Sequence, residues 1–483
     1  FYSLIRMRAV LLGSVLFLFV VSSQAIQLWV DPVVGIDGGN CSAAYPCASV
    51  AGALEWFSTS DSVLEVFLYA GTYQGENNTN VVLPEAVQTT FSPAGEGEIS
   101  FDCEFASPVV FRGSTPLTIQ GSVTFENCAS GIQLYATPYS DTKLEIDSCN
   151  FLDCTTAIDT NNTANYIRNT NIESLKVGIS SQYSFNNISS CLFTNVTHFS
   201  IHSLNSTGLT LDNTDFTRSA VTVVAQAAER TTLVTDCSWN LSPARSLELT
   251  GGLLSMSNSN ISDSQEEYGN GGAIYMSSGV LDLENVKITN TASYGNGGAV
   301  YTEFTGVTIS RCDFISNNAK NGGAVMIVNG QAYFSDSSFA QNNATGFGGA
   351  ISLDVLEGSS EYTTQLQGAM IFSHNAATSG AAIACCGNIT DATSCNMKVS
   401  YDVDILQMEE NTNTDPTGSD ITCQNLYSIS EGDQEGNEDD NSNHEWIWWL
   451  LGVAAATILI LIIAGAAFMY WKKKKTTDYY GLE

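Results

Sequence analysis

The chain has 483 residues, in which 50 Asp and Glu outnumber 17 Lys and Arg and give a formal net charge of −33 at pH 7. Such a surface repels nucleic acids and other polyanions, which argues against nucleic acid as a partner. All 13 Cys residues lie between Cys41 and Cys423. Their placement suits folding in an oxidising compartment, where disulfides persist.

The first 25 residues have the pattern of a secretory signal peptide. Arg8 precedes an uncharged apolar run, and the small residues Ser23 and Ala25 form the expected cleavage site. Residues 1–6 lie upstream of the first Met. The run is too short to span a bilayer, which needs about 20 apolar residues. The rest of the chain is therefore expected to be exported.

A short motif, Gly-Gly-Ala followed by Ile or Val, recurs at steps of 26, 25 and 26 residues. Its glycines are Gly271, Gly272, Gly297, Gly298, Gly322, Gly323, Gly348 and Gly349. The copies of a second motif, Phe-x-x-Asn, contain Phe314, Asn317, Phe339, Asn342, Phe372 and Asn375. Repeats of this length, with short β-branched runs and no long amphipathic helix, predict a solenoid of stacked coils, the parallel β-helix.

The aromatic position of the repeat extends further towards the N-terminus than the glycines do. Its eleven members are Phe125, Phe151, Ile172, Phe193, Phe216, Trp239, Ile261, Ile288, Phe314, Phe339 and Phe372. Coils stack about 4.8 Å apart, so we expect these side chains to form a column inside the solenoid. Each Asn is expected at a left-handed bend, bonded to the next coil. The glycines are expected where the backbone needs positive φ or close approach.

The cysteines follow the same repeat. Cys128 and Cys154 each stand three residues after their Phe, so stacking predicts a disulfide between them. Cys41 with Cys47 is expected to close one end of the solenoid, and pairs among Cys385, Cys386, Cys395 and Cys423 the other. The residues expected to be buried thiols are Cys149, Cys191, Cys237 and Cys312. The candidates for N-glycosylation are Asn77, Asn161, Asn187, Asn195, Asn205, Asn240, Asn260, Asn343 and Asn388.

Residues 26–100 are assigned to an N-terminal cap and first coils, residues 101–425 to the β-helix repeats, and residues 426–445 to an acidic stalk kept extended by its own charge. The acidic surface leaves room for weak Ca²⁺ binding. The stalk lacks the alternating ligands of a Ca²⁺ loop, so no cofactor is expected.

Residues 446–471 carry no charge and are long enough to cross a bilayer. Trp446 and Trp471 stand at the two ends as interfacial anchors, and Lys472 to Lys475 follow. Positive charge stays on the cytoplasmic side of a membrane. We therefore expect one transmembrane helix in a type I protein of the plasma membrane, with the N-terminal ectodomain outside and residues 472–483 as the cytoplasmic tail.

The alternation of Gly-Gly-Ala-Ile/Val with Phe-x-x-Asn resembles the repeat of chlamydial polymorphic membrane proteins and their protist relatives. That resemblance implies the right-handed, pectin-lyase-like class of β-helix, and it spans roughly residues 29–400. The bacterial family ends in an outer-membrane barrel, whereas this chain ends in a single apolar segment. The resemblance implies adhesion or recognition at a cell surface, with an extracellular glycan or protein as the ligand.

Two other functions remain open. The first is a polysaccharide-active lyase or hydrolase on the same fold, although the sequence contains no complete catalytic, cofactor or metal motif. Asn213-Thr214-Asp215 is interpreted as a turn, and the spacing of His198 and His202 predicts no metal site in strand sequence. A cluster of carboxylates, or of carboxylates with Arg or Lys, on one outer face across neighbouring coils would favour an enzyme.

The second alternative is a trafficking receptor. Tyr479 and Leu482 form a Tyr-x-x-hydrophobic signal, which an endocytic adaptor would read, with endosomal localisation as the consequence.

Overall fold

The structure is a computed structural model, which describes residues 25–57, 63–104, 109–138, 140–224, 230–355, 361–386, 397–401, 406–415, 418–423 and 426–428. These residues belong to one compact unit, and a second unit, residues 429–483, lies outside the described residues. The predicted membrane span and tail, and all of the predicted signal peptide except Ala25, also lie outside them. Within the described ranges, no helix is long and apolar enough to cross a membrane.

The described chain winds through one coil after another, and each coil contributes one strand to each of three sheets, here called sheets 1, 2 and 3 in chain order. Strands of successive coils pair in parallel in all three sheets. Side chains alternate between the interior and the outer surface, as the period of two in a strand requires. The result is a parallel β-sheet solenoid with its core between the three sheets.

Sheet 1 contains Ile26–Val30, Val63–Leu68, Gln88–Pro93, Leu117–Gln120, Lys143–Asp147, Ala164–Arg168, Phe185–Ser189, Gly208–Asp212, Thr231–Thr235, Leu253–Ser257, Ala332–Ser335, Tyr362–Gln367, Met397–Tyr401 and Leu426–Ser428. Sheet 2 contains Gly71–Tyr73, Ile99–Asp102, Val123–Glu126, Asn150–Leu152, Asn171–Glu173, Leu192–Thr194, Asp215–Thr217, Ser238–Asn240, Asn260–Ser262, Lys287–Thr289, Asp313–Ile315, Ser338–Ala340, Met370–Ser373 and Leu406–Glu409. Sheet 3 contains Val81–Val82, Val109–Gly113, Ser130–Tyr135, Thr156–Asn161, Val177–Gln182, Phe199–Leu204, Val221–Val224, Leu247–Thr250, Val325–Val328, Ile351–Asp354, Ile383–Cys385 and Ile421–Thr422.

Two long strands, Ile274–Glu284 and Val300–Ser310, pass round the corner from sheet 3 into sheet 1 and join them into one hydrogen-bonded sheet of 28 strands. A ladder of two-residue strands, here called the corner ladder, lies between sheets 2 and 3. Its members are Gln265–Glu266, Ala292–Ser293, Asn318–Ala319, Asn343–Ala344, Ala376–Ala377 and Thr412–Asn413. The helices among the described residues are the short segments Val50–Leu54 and Glu76–Thr79.

The solenoid continues slightly beyond the predicted boundary at residue 425. Leu426–Ser428 pairs in parallel with residues 399–401 of sheet 1. The segment assigned to the acidic stalk therefore begins with a strand of the last coil, because a free sheet edge in the preceding coil offers it hydrogen-bonding partners.

The inward aromatic column forms the centre of sheet 2. All eleven predicted positions pair in register, from Phe125 with Phe151 to Phe339 with Phe372. The rings of Phe314 and Phe339 stack with centroids 4.8 Å apart and planes 4° from parallel. Offset ring stacking of this kind adds to the free energy gained by burying the aromatic area.

The Asn residues of the Phe-x-x-Asn motif form a buried ladder. Asn342 Nδ2 donates to Asn375 Oδ1 and to the carbonyl oxygen of Phe314, each at 3.0 Å. The left-handed residue of the bend is the one before each Asn, however, and these residues are Ser316, Gln341 and His374. The prediction that Asn itself adopts this conformation was wrong, because its side chain must face inward to reach the neighbouring coil.

Each Gly-Gly pair meets two separate requirements. The first glycine has positive φ, for example +60° at Gly322. The second lies against the neighbouring coil: a Cβ on Gly323 would stand 2.1 Å from the carbonyl oxygen of Gly349. The following Val325 is fully buried. Glycine is therefore required at both positions of the motif: at the first because φ is positive, and at the second because the neighbouring backbone leaves no room for a Cβ.

The disulfides agree with the sequence at the ends of the solenoid and differ from it in between. Cys41 pairs with Cys47, and Cys385 with Cys423; Cys386 is also disulfide-bonded. The predicted Cys128–Cys154 bond is not formed, because Cys128 pairs with Cys103 in the preceding coil, with a Cα–Cα distance of 5.0 Å. Cys154 is a buried free thiol.

The free thiols are expected to be unreactive in the folded protein. They are Cys149, Cys154, Cys191, Cys237 and Cys312, and burial raises the pKa of each to about 11 or 12. Because the thiolate is the reactive form, none should react with iodoacetamide at about pH 8 until the protein is unfolded. Mass spectrometry of labelled protein measures this, and rapid labelling of the folded chain would contradict it.

Candidate functional site: a polar groove on sheet 1

The outer face of sheet 1 carries charged and aromatic side chains where two sequence segments, KLEID and ANYIR, form neighbouring strands. In Lys143–Asp147, Leu144 and Ile146 are buried, so Glu145 and Asp147 face outward. In Ala164–Arg168, the same alternation places Tyr166 and Arg168 on the outer surface. The next strand, Phe185–Ser189, repeats the pattern.

The strand register sets these outward residues in two parallel rows. One row contains Thr118, Glu145, Tyr166 and Asn187, and the other contains Gln120, Asp147, Arg168 and Ser189. Side chains directly opposite each other on adjacent strands lie about 5 Å apart. Together these eight residues line a groove across four coils, here called the sheet 1 groove, with a cavity of about 180 Å³.

The floor beneath the groove is held by buried amides. Asn165 and Asn186 point inward from the strands that carry Tyr166 and Asn187, and both are fully buried. Asn165 Nδ2 donates to Asn186 Oδ1 at 2.8 Å and to Thr160 Oγ1 at 2.9 Å. Satisfied polar networks of this kind fix a single local arrangement, so the outer side chains stand on a rigid support.

The charged end of the groove is an ion pair that also accepts other hydrogen bonds. Arg168 Nε lies 3.0 Å from Asp147 Oδ2. Asn169 Nδ2 and Ser148 Oγ donate to Asp147 Oδ1 at 2.9 and 3.0 Å. The bond from Asn169, helped by Ser148 and Arg168, holds the pKa of Asp147 below its ordinary value. Asp147 is therefore an acceptor at neutral pH and a poor proton donor.

The open part of the groove combines an aromatic ring with polar groups. Tyr166 is 36% exposed, and Glu145 and Asn187 flank it in register on the two neighbouring coils. The ring of Phe185 lies 6.1 Å from that of Tyr166. A second depression of about 500 Å³ follows the same strands and is lined in part by Lys143, Ala164 and Phe185. The polar surface thus extends along the strands beyond the groove.

These groups suit the binding of a sugar ring. An exposed aromatic ring packs against an apolar face, while carboxylate, amide and hydroxyl groups around it exchange hydrogen bonds with hydroxyls. The guanidinium of Arg168 is paired with Asp147, so it is not placed to act as a base. Within the described ranges, no three His, Cys, Asp or Glu side chains are grouped so as to hold a metal ion.

A second cluster lies on the outer face of sheet 3 and is occupied by its own contacts. Arg245 Nε lies 3.2 Å from Glu266 Oε2, and its guanidinium covers the ring of Tyr275 at 4.7 Å. In a neighbouring part of the sheet, the ring of His198 stacks on that of Phe199 with centroids 4.5 Å apart, and the ring of His202 meets Phe199 edge to face with centroids 4.8 Å apart. Burial, followed by the charge of His198, lowers the pKa of His202.

The residues singled out from the sequence lie mostly away from the groove. The Gly-Gly-Ala and Phe-x-x-Asn motifs lie in coils between residues 271 and 375, whereas the groove lies in coils between residues 117 and 189. Of the glycosylation candidates, Asn77, Asn240, Asn260 and Asn343 are exposed and Asn161, Asn187, Asn195 and Asn205 are partly buried. Asn187 alone of these eight lines the groove. Asn388, Tyr479 and Leu482 lie outside the described residues.

The sequence does not identify the groove residues as a binding site, and it marks Asn187 only as a candidate for glycosylation. Alternation in KLEID and ANYIR indicates which side chains face outward, but it does not show that Glu145 stands opposite Tyr166 or Asp147 opposite Arg168. That pairing depends on the register between coils, which the sequence signal of the inner column sets only approximately.

No model of a known protein family matches the sequence, and no curated protein matches it. Among solved structures, a protein described as "Rhamnogalacturonan lyase" was found, with 10% sequence identity and a TM-score of 0.19, over 84% of this chain and 89% of that chain. A likeness at this level does not bear on the activity of this chain.

Proposed function

We propose that the chain is a membrane-anchored cell-surface protein whose β-helix serves as a recognition platform, and that the sheet 1 groove binds a polysaccharide. The observation that carries this proposal is the row of Glu145, Tyr166 and Asn187 on one outer face of three neighbouring coils. The sequence pattern of a signal peptide over residues 1–25 and the uncharged apolar run over residues 446–471 support export and anchoring. Winding is proposed to be right-handed, as nearly all parallel crossovers are.

The charge of the chain favours neutral polysaccharides over polyuronates. The formal net charge of −33 repels an anionic polymer. Within the groove, Glu145 and Asp147 outnumber Arg168, whose guanidinium is already paired. A neutral chain of sugars meets no such repulsion and finds both an aromatic ring and hydrogen-bond acceptors. Adhesion through neutral glycans is therefore the function that we favour.

An enzyme on this surface is the alternative that the groove makes testable. Asp147 and Glu145 lie on one strand and Arg168 on the next, which is the kind of cluster that a polysaccharide-active site would need. The pKa of Asp147 lies below its ordinary value, chiefly through the hydrogen bond from Asn169, which makes this carboxyl a poor acid and its carboxylate a weak base. The guanidinium of Arg168 is already paired with Asp147. Binding is for this reason favoured over bond cleavage.

The full-length chain, purified in detergent with and without N-glycans, can be passed over immobilised neutral polysaccharides and polygalacturonate. We expect the form without N-glycans to be retained on a neutral polysaccharide, with no retention on polygalacturonate and no new reducing ends. Newly formed sugar ends would instead establish an enzyme. Failure of both forms to bind any polysaccharide would overturn the proposal and leave a protein ligand as the next hypothesis.

A further inference from the structure

Asn187 has two roles that meet at one place. It lines the sheet 1 groove, and it begins the acceptor sequence Asn187-Ile188-Ser189 for N-glycosylation. Tyr166 stands opposite Asn187 on the neighbouring strand. Phe185 lies two residues before Asn187, so both face outward from the same strand. The acceptor amide is therefore bordered by two aromatic residues, whose rings lie 6.1 Å apart.

A sugar attached to Asn187 would lie over these rings. The first sugar of an N-linked glycan, N-acetylglucosamine, has an apolar ring face that can pack on an aromatic side chain, and hydroxyl and acetamide groups that exchange hydrogen bonds. Glu145 and Arg168 border Tyr166 on the neighbouring strand and on its own strand. The cavity of about 180 Å³ is on the scale of one sugar residue.

We propose that an N-linked glycan on Asn187 seats its first sugar in the sheet 1 groove and closes the groove to polysaccharide. This inference rests on the proposed function, since it requires export of the chain, and it adds a means of regulation. The occupancy of one glycosylation site sets the fraction of molecules with an open groove. In the modification, an oligosaccharide passes from a lipid-diphosphate donor to Asn187 Nδ2, which loses one proton as the lipid diphosphate leaves.

Asn343 provides a matched site without aromatic neighbours. It also faces outward from a strand and begins an acceptor sequence, but it belongs to the corner ladder and is exposed. Its neighbours in register are Asn318 and Ala376, and its Nδ2 donates to Asn318 Oδ1 at 2.7 Å. A glycan on Asn343 has no aromatic ring to pack against at these positions and is expected to extend into solvent.

The first test measures where the glycan lies, without any polysaccharide. Full-length protein from eukaryotic cells is treated with an N-glycosidase under native conditions, and glycan loss at each site is followed by mass spectrometry. We expect loss at Asn187 to be about ten-fold slower than at Asn343, and the Tyr166→Ala variant to remove this difference. Equal rates in the wild-type protein, or an Asn187 that carries no glycan while Asn343 does, would overturn the inference.

The second test measures closure. Asn187→Gln removes the acceptor sequence in the groove, whereas Asn343→Gln removes a glycan elsewhere. For each form, retention on neutral polysaccharide is compared between protein made with and without N-glycans, so that any direct contribution of the residue 187 side chain to binding cancels. N-glycans should lower retention about ten-fold in the wild type and in Asn343→Gln, and should not lower it in Asn187→Gln. An equal effect of N-glycans on the wild type and on Asn187→Gln would refute closure. Retention of no form would refute the proposed function, and the deglycosylation rates would still decide whether the glycan occupies the groove.

Discussion

Replacing Gly323 by Ala is expected to destabilise the solenoid by about 3 kcal/mol or more. A Cβ at this position would lie 2.1 Å from the carbonyl oxygen of Gly349 and 2.7 Å from backbone atoms of Asn343. The backbone N–H of Gly323 also donates to the carbonyl oxygen of Gly348 at 2.9 Å. The coils cannot separate to admit the methyl group without losing this bond, and the atoms in contact are backbone atoms, which do not rotate away.

Gly306→Ala is the matched control. Gly306 lies within the strand Val300–Ser310, and a Cβ added there would meet nothing within 4 Å. Its stability should change by no more than about 0.5 kcal/mol. The midpoints of denaturant unfolding of the two variants and the wild type measure both effects. A Gly323→Ala protein as stable as Gly306→Ala would show that the close packing of coils at the Gly-Gly corner is not required.

Replacing Asn342 by Ala is expected to cost about 4 kcal/mol, because several buried polar groups would lose partners at once. Asn342 is fully buried, and its Oδ1 accepts from both the backbone N and the Nδ2 of Asn317, each at 3.0 Å. Its Nδ2 donates to Phe314 and Asn375. Alanine would remove the acceptor of the Asn317 backbone N–H and the amide that donates to the carbonyl oxygen of Phe314, at about 1–3 kcal/mol for each. Asn375 Oδ1 would keep the bond from the backbone N–H of residue 342, and Asn317 Nδ2 would keep its bond to the carbonyl oxygen of Ile288.

The next residue in the chain is the control for this substitution. Asn343 is exposed, and its amide makes one hydrogen bond to Asn318 at the surface. Asn343→Ala should therefore change the free energy of unfolding by less than about 1 kcal/mol when both variants are made without N-glycans. Loss of equal stability in the two variants would contradict the role of the buried ladder.

The parts of the fold that the sequence predicts are those in which every coil has the same physical need. The inner column repeats Phe or Ile at each coil because the same interior space must be filled, and the pairing of Phe314 with Phe339 follows that repeat. Gly322 and Gly323 recur in equivalent form because one backbone position needs positive φ and the next has no room for a side chain. A structural requirement that is the same in every coil selects the same sequence motif in every repeat.

The predictions of the left-handed residue and of the disulfide partner of Cys128 were wrong because these structural requirements do not produce a repeated sequence motif. The left-handed residue of the bend is Ser316, Gln341 or His374, and these share only a backbone conformation, so the sequence marks the repeated Asn that follows them instead. Cys103 stands two residues after Phe101, whereas Cys128 stands three after its Phe, so the pair that forms does not share a repeat position. The equal spacing of Cys128 and Cys154 from their Phe residues indicated Cys154 as the partner instead of Cys103.

The groove could not be predicted because function on a solenoid lies on the variable outer surface. Glu145, Tyr166 and Asn187 come from three coils whose successive outward residues are 21 positions apart and have unlike side chains. These three residues belong to no repeated sequence motif. A slip of one residue in register would turn each of them into the core, so their meeting becomes visible only when the strand pairing is known.

The most direct test of the proposed function compares two exposed tyrosines on neighbouring coils in protein made without N-glycans. Tyr166 lies in the groove, whereas Tyr135 is 49% exposed on the outer face of sheet 3. Retention on neutral polysaccharide should fall about ten-fold in Tyr166→Ala and stay unchanged in Tyr135→Ala, because only Tyr166 offers its ring to the bound sugar. Unchanged retention in Tyr166→Ala, or an equal loss in both variants, would contradict the account of the sheet 1 groove as the binding site.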